Sequence, residues 1–106
     1  MRTMMVALAL AGLLLGSLSQ ASNMDAAKEK SKTCAACHGA DGNSTAPDFP
    51  RLAGQNYRYL VKALSDYKSG ERKNAIMNGN AANLSQKDIE DLAAFYAHQT
   101  GLSVKY

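Results

Sequence analysis

Apolar and polar positions divide the chain into stretches of different character. Met4 to Leu15 (MMVALALAGLLL) is an almost unbroken apolar run behind one basic residue, Arg2, and Ser19-Gln20-Ala21 then offers small residues at the two positions a signal peptidase reads. A run of about a dozen apolar residues falls well short of the roughly 20 that span a bilayer. Residues 1–21 are therefore expected to be a secretory signal peptide, with an uncleaved anchor as the rival reading. Ala26 to Cys37 (AAKEKSKTCAAC) has good helix formers and neither Gly nor Pro, which predicts a first helix with Lys28, Lys30 and Lys32 on a solvated face. From Gly39 to Gly54 (GADGNSTAPDFPRLAG) turn formers dominate, and a wrapping loop follows.

Between Asn56 and Ser69 the apolar residues Tyr57, Leu60, Val61, Leu64 and Tyr67 recur at helical spacing, and Gly70 stands as a stop, so a second helix is expected there. Glu71 to Asn83 (ERKNAIMNGNAAN) holds four asparagines and a lone Ile-Met pair, the pattern of no regular element, and is expected to be a loop that carries something. Ser85-Gln86-Lys87-Asp88 resembles a capping box. Ile89, Leu92, Ala93 and Tyr96 beyond it form one face of a third helix, and Gly101 ends the segment. No stretch reads convincingly as a strand, so the fold class is all-α.

Size changes the picture more than charge does. Without the signal, the domain of residues 22–106 has only about 85 residues, and a unit that small buries a modest fraction of its surface and usually needs a disulfide, a metal or a cofactor as a staple. The formal net charge of +3 falls to +2 when Arg2 is removed. That is too little to suggest nucleic-acid binding.

The chemistry gathers in KTCAACHGADG, Lys32 to Gly42. A thioredoxin-like dithiol would need a βαβ context that is missing around Cys34 and Cys37. A structural zinc site needs four ligands, and beyond Cys34, Cys37 and His38 only His98 remains as a Cys or His candidate. A disulfide between the two cysteines would close a tiny loop and staple nothing distant. Covalent haem attachment uses all three residues: both thiols add to haem vinyl groups as thioethers, and the adjacent imidazole reaches the iron. Cys34 and His38 are four apart and share a helix face. Export fits as well, because attachment of c-type haem in bacteria follows secretion.

With His38 as one axial ligand, the other must come from Met, His, Lys or the N-terminus, or else the position is open. Met77 is the single methionine after the motif, and it lies in a polar stretch where a core-filling methionine would have few neighbours. His98, in the last turn of the last helix, is the other candidate, although a histidine there is well placed to serve free carbonyls.

Taken together, CAACHGADGNS, APDFPRLAGQ and YLVKALSDYKSGERKNAIMNGNAANLSQKDIEDLAAFYA resemble the class I c-type cytochromes of bacteria. The similarity extends to the small monohaem periplasmic carriers and to single domains of dihaem periplasmic cytochromes, and it covers nearly all of residues 22–106. The resemblance implies a small cytochrome c fold with three main helices around one covalently bound haem c. It implies Met77, in Met77-Asn78-Gly79, as an iron ligand. It further implies that the Pro47 carbonyl accepts a hydrogen bond from the ligand histidine. Phe49, Leu52, Leu60 and Leu64 would pack on the haem, and Phe95 or Tyr96 would sit where the first and last helices cross. Ala26 or Ala27 stands there in place of the glycine many members have.

A six-coordinate iron held by His38 and Met77 has no vacancy for a substrate, which leaves one-electron transfer. The expected function is a periplasmic electron carrier, not an enzyme, that exchanges electrons transiently with redox protein partners, with Arg72 and Lys73 either ringing the haem edge or simply solvated. One alternative is a haem subunit through which electrons enter a larger redox complex. Another is a ligand-binding haem enzyme or sensor with a labile Met77.

Overall fold

The computed structural model describes the backbone of residues 12–101 and the side chains of residues 24–101. Four helices lie within it: α1 (Gly12–His38), α2 (Tyr57–Ser69), α3 (Ala75–Ala81) and α4 (Gln86–Ala97). The architecture is all-helical, as expected, with one helix more than the apolar pattern shows. Of the segment expected to be a signal, residues 1–11 lie outside the described residues; from Gly12 the backbone is helical and runs through Ala21 without a break. Among the described residues, no helix is long and apolar enough to cross a membrane.

Each end of each helix downstream has a local cause. Gly39, at φ +85°, stops α1, and its N–H donates to Ala35 O. Asn56 caps α2 by accepting from the Tyr59 N–H at 3.0 Å, and Gly70, at φ +87°, closes its far end. Ser85 and Asp88 form the capping box of α4, where each side chain accepts from the other's backbone N–H.

The core forms where α4 crosses α1 and α2. Ala27, Leu60, Leu92, Ala93, Phe95 and Tyr96 are buried together there. Ala27 is wholly buried, so it is the small residue that lets α1 and α4 approach, while Ala26 is only partly covered. A Lys30–Asp88 ion pair at 2.7 Å ties the same two helices, so Lys30 is a strut between helices and not merely solvated surface. Tyr57, expected on the buried face of α2, points outward with 42% of its surface exposed.

The stretch read as a loop, residues 71–83, contains α3. Its apolar content is too low to show a period, and its helical form comes from asparagine chemistry. Asn74 Oδ1 accepts from the N–H groups of Ile76 and Met77, both at 3.1 Å. In return the Asn74 N–H donates to Asn78 Oδ1 at 2.9 Å. Asn78 Nδ2 then donates to Tyr67 O at 2.7 Å and Arg72 O at 2.9 Å, which hangs α3 from the end of α2.

Candidate functional site

Between α1, α2, α3, α4 and the 39–54 loop lies a cavity of about 480 Å³. Cys34, Cys37 and His38 line it from the end of α1, Leu60, Leu64 and Tyr67 from α2, and Met77 from α3. Phe49 and Leu52 line it as expected; Tyr96 does too, whereas Phe95 stays in the helix crossing behind it. The wall is mostly apolar, which suits a flat hydrophobic group that brings its own metal.

His38 is 6% exposed, and its Nδ1 lies 2.8 Å from Pro50 O. A carbonyl oxygen can only accept, so Nδ1 carries the proton and Nε2 is left with a free lone pair. The partner is therefore Pro50 and not Pro47, a correction with a local cause. The Phe49 N–H donates to Ala46 O at 3.2 Å, which makes Ala46–Phe49 a β-turn with Pro47 at its second position, on an exposed crest. The chain comes back over the end of α1 only after that turn, at Pro50. Ser44, buried beneath it, accepts from the Ala46 N–H and donates to Ala46 O, both at 3.2 Å.

Cys34 and Cys37 are free thiols, each partly covered. Burial pushes the Cys34 pKa up, partly offset by the neighbouring Tyr96 hydroxyl. That hydroxyl is buried with no partner in hydrogen-bonding geometry among the described residues. Burial first, then the nearby Cys34, raises its own pKa. The phenol and the Cys34 thiol thus sit side by side, the hydroxyl itself shut off behind the cavity wall.

Among the described residues, no group of three or more His, Cys, Asp and Glu side chains is arranged to hold a metal ion, so the zinc alternative finds no support. His98 lies at the end of α4, away from the cavity, and its Nδ1 bonds Ala94 O at 2.7 Å, a carbonyl that also accepts the His98 backbone N–H. The structure thus brings Cys34, Cys37, His38 and Met77 to one cavity and leaves Pro47 and His98 outside it. Arg72 also lines this cavity.

An all-helical wrap around an apolar cavity, with a thiol pair, a tautomer-fixed imidazole and a thioether on its wall, defines a covalent-haem protein. The residues present fit haem c on all these counts. The chain belongs to the cytochrome c family, whose model matches residues 25–99. It is 46% identical over 99 residues to cytochrome c4 of Pseudomonas aeruginosa, an alignment covering 93% of this chain and 49% of that protein. It is 44% identical over 77 residues to cytochrome c-554(548) of Halomonas halodenitrificans, covering 70% of this chain and 93% of the other. The crystal structure of reduced recombinant cytochrome c4 from Pseudomonas stutzeri superposes with a TM-score of 0.70 at 47% identity, over 78% of this chain and 48% of that one. The chain thus spans about half the length of the cytochrome c4 proteins it matches. Its cofactor is haem c.

Proposed function

We propose that this protein is a periplasmic electron carrier, exported by a leader at residues 1–21 and carrying a haem c domain over residues 22–106. Cys34 and Cys37, both on the cavity wall, would hold the cofactor as thioethers. His38, through Nε2, and Met77, through Sδ, would hold its iron. Bound haem c supplies an iron that alternates between ferrous and ferric states.

The observation that carries this reading is the placing of His38 and Met77 on one cavity by separate elements, the imidazole already fixed in the tautomer that frees Nε2. Two strong protein ligands leave no position for a substrate, which argues against an enzyme or sensor. The thioether favours the ferrous state, and the apolar wall disfavours the added charge of the ferric state; both raise the potential. Tyr59 and Ile76, 50% and 57% exposed on the cavity wall, give a small apolar docking rim suited to brief redox encounters.

The test is optical. The ferric protein should show the far-red methionine-to-iron band and lose it in Met77→Ala but not in His98→Ala. Persistence of the band in the Met77 variant would overturn the ligand assignment, and rapid cyanide or carbon monoxide binding by the wild type would favour the sensor reading. Size-exclusion of a native periplasmic extract separates a free carrier from a subunit of a larger complex.

A further inference from the structure

Arg72 is a charged group on the cavity wall that neither the ligand set nor the helix packing uses. Its guanidinium lies 4.7 Å from the centroid of the Tyr67 ring. Its Nη1 donates to the Tyr59 hydroxyl at 3.4 Å. Its backbone N–H donates to Asp66 O at 3.1 Å, just past the glycine cap of α2, so the main chain is anchored too. Two tyrosines of one helix thus hold the side chain at the rim of the cavity.

A guanidinium has five N–H donors. The Tyr59 contact uses one of them, and the ring stacking uses none. Among the described residues the ion pairs lie elsewhere, at Lys30–Asp88, Lys32–Glu29, Lys62–Asp66 and Lys87–Asp91. Arg51, the other arginine on the wall, also has one donor engaged, its Nε to Ser44 O at 3.3 Å, but that bond belongs to the loop that positions His38, and among the described residues no aromatic ring lies under its guanidinium as Tyr67 lies under that of Arg72. Arg72 is therefore a pre-oriented cation with donors to spare, on the Met77 side of an apolar cavity.

We infer that Arg72 binds a haem propionate, with Tyr67 and Tyr59 as the support that aims it. The inference rests on haem c filling this cavity. Haem brings two carboxylates, and a carboxylate at an apolar wall needs a cation and hydrogen bonds there. A guanidinium fork supplies both and can engage a carboxylate through two parallel bonds. Its positive charge beside the ring opposes the extra charge of ferric iron, so Arg72 also raises the reduction potential. Arg72 is thus a positioning residue that tunes the iron without touching it.

The experiment compares the holoprotein with Arg72→Gln, Arg72→Lys, Tyr59→Phe and, as a control off the wall, Lys73→Gln. Midpoint potentials are read together with redox-difference infrared bands of the propionate carboxylates. Arg72→Gln should weaken reduction by about tenfold in equilibrium constant, about 59 mV for one electron, and shift a carboxylate band. Arg72→Lys should keep most of the potential but not the band position, and Tyr59→Phe should move both slightly in the direction of the Gln variant. Lys73→Gln should move neither.

An unchanged potential and carboxylate band in Arg72→Gln, with the far-red band intact, overturns the inference. So does a change confined to the salt dependence of electron exchange, which would assign Arg72 to partner docking. If Arg72→Gln fails to fold, Tyr59→Phe decides, and an unshifted carboxylate band there overturns it. A wild type lacking the far-red band would sink Met77 ligation while leaving the propionate measurement readable.

Discussion

The two sides of the cavity are built differently. On one side His38 ends a long helix, is almost completely buried, and is pinned by a backbone carbonyl from the loop folded over it. On the other, Met77 rides a seven-residue helix that packs on α2 alone among the described helices and is suspended by asparagine side chains. One side resists deformation because main chain, core and covalent attachment coincide there. The other is held by a few partly solvated hydrogen bonds, each worth about 1 kcal/mol net. In a haem domain with this frame, local opening belongs to the Met77 side.

The largest expected effect tests this directly. His38→Ala should cut the yield of haem-bearing low-spin protein by roughly tenfold or more, read from visible absorbance, whereas Met77→Ala should keep its haem and helical circular dichroism while losing the far-red band. Equal losses in the two variants would break the comparison. Next comes Asn78→Ala, which removes the bonds to Tyr67 O, Arg72 O and the Asn74 N–H. It should destabilise α3 by about 2 kcal/mol, seen as loss of the far-red band at lower denaturant than loss of helical signal. Coincident transitions would mean that α3 is not a separate unit.

The smallest effect is on acid stability. Lys30, with help from the Ser85 N–H, lowers the Asp88 pKa to about 2 from an ordinary 3.8. A depressed folded-state value means that the contribution is present above the ordinary value and is lost as pH falls from there through the folded value. Lys30→Gln should therefore cost stability at neutral pH, by less than about 1 kcal/mol for so exposed a pair, and the cost should shrink as pH falls from about 4 to about 2. Equilibrium unfolding at pH 7 and pH 2.5 checks it. A cost independent of pH would assign Lys30 to packing alone.

What the chain reveals beforehand follows the same division. α2, α4 and their caps are legible because apolar periodicity and capping residues act locally, and Gly70 and the Ser85–Asp88 box perform the roles their types suggest. The Cys34-Cys37-His38 cluster is equally plain. α3 was hidden because its helix rests on side-chain-to-backbone bonds reaching from Asn78 back to Tyr67, which no periodicity records. The spacing of Asn74 and Asn78 was the available signal. Pro50 was missed because two prolines three residues apart look alike until the turn at Ala46–Phe49 decides which carbonyl faces inward. Arg72 had only proximity to Met77 to recommend it, since its stacking on Tyr67 is a tertiary fact.

Gly42 has a consequence of another kind. Its φ is +83°, and a methyl group there would stand 2.8 Å from the Tyr96 ring and 2.9 Å from the Ala53 nitrogen, while its carbonyl accepts from the Leu52 and Ala53 N–H groups. Gly54 in turn donates to Tyr96 O at 2.9 Å. The loop over the cavity is thus latched to a helix some fifty residues later in the chain, so it cannot close before that helix has been made and docked. Chain order itself leaves an interval in which the two thiols are already present and the door is still open. Gly42→Ala, by spoiling the latch, should lengthen that interval in refolding kinetics more than it disturbs the thiols' end of α1; an unchanged closing rate would remove the latch from the sequence of events.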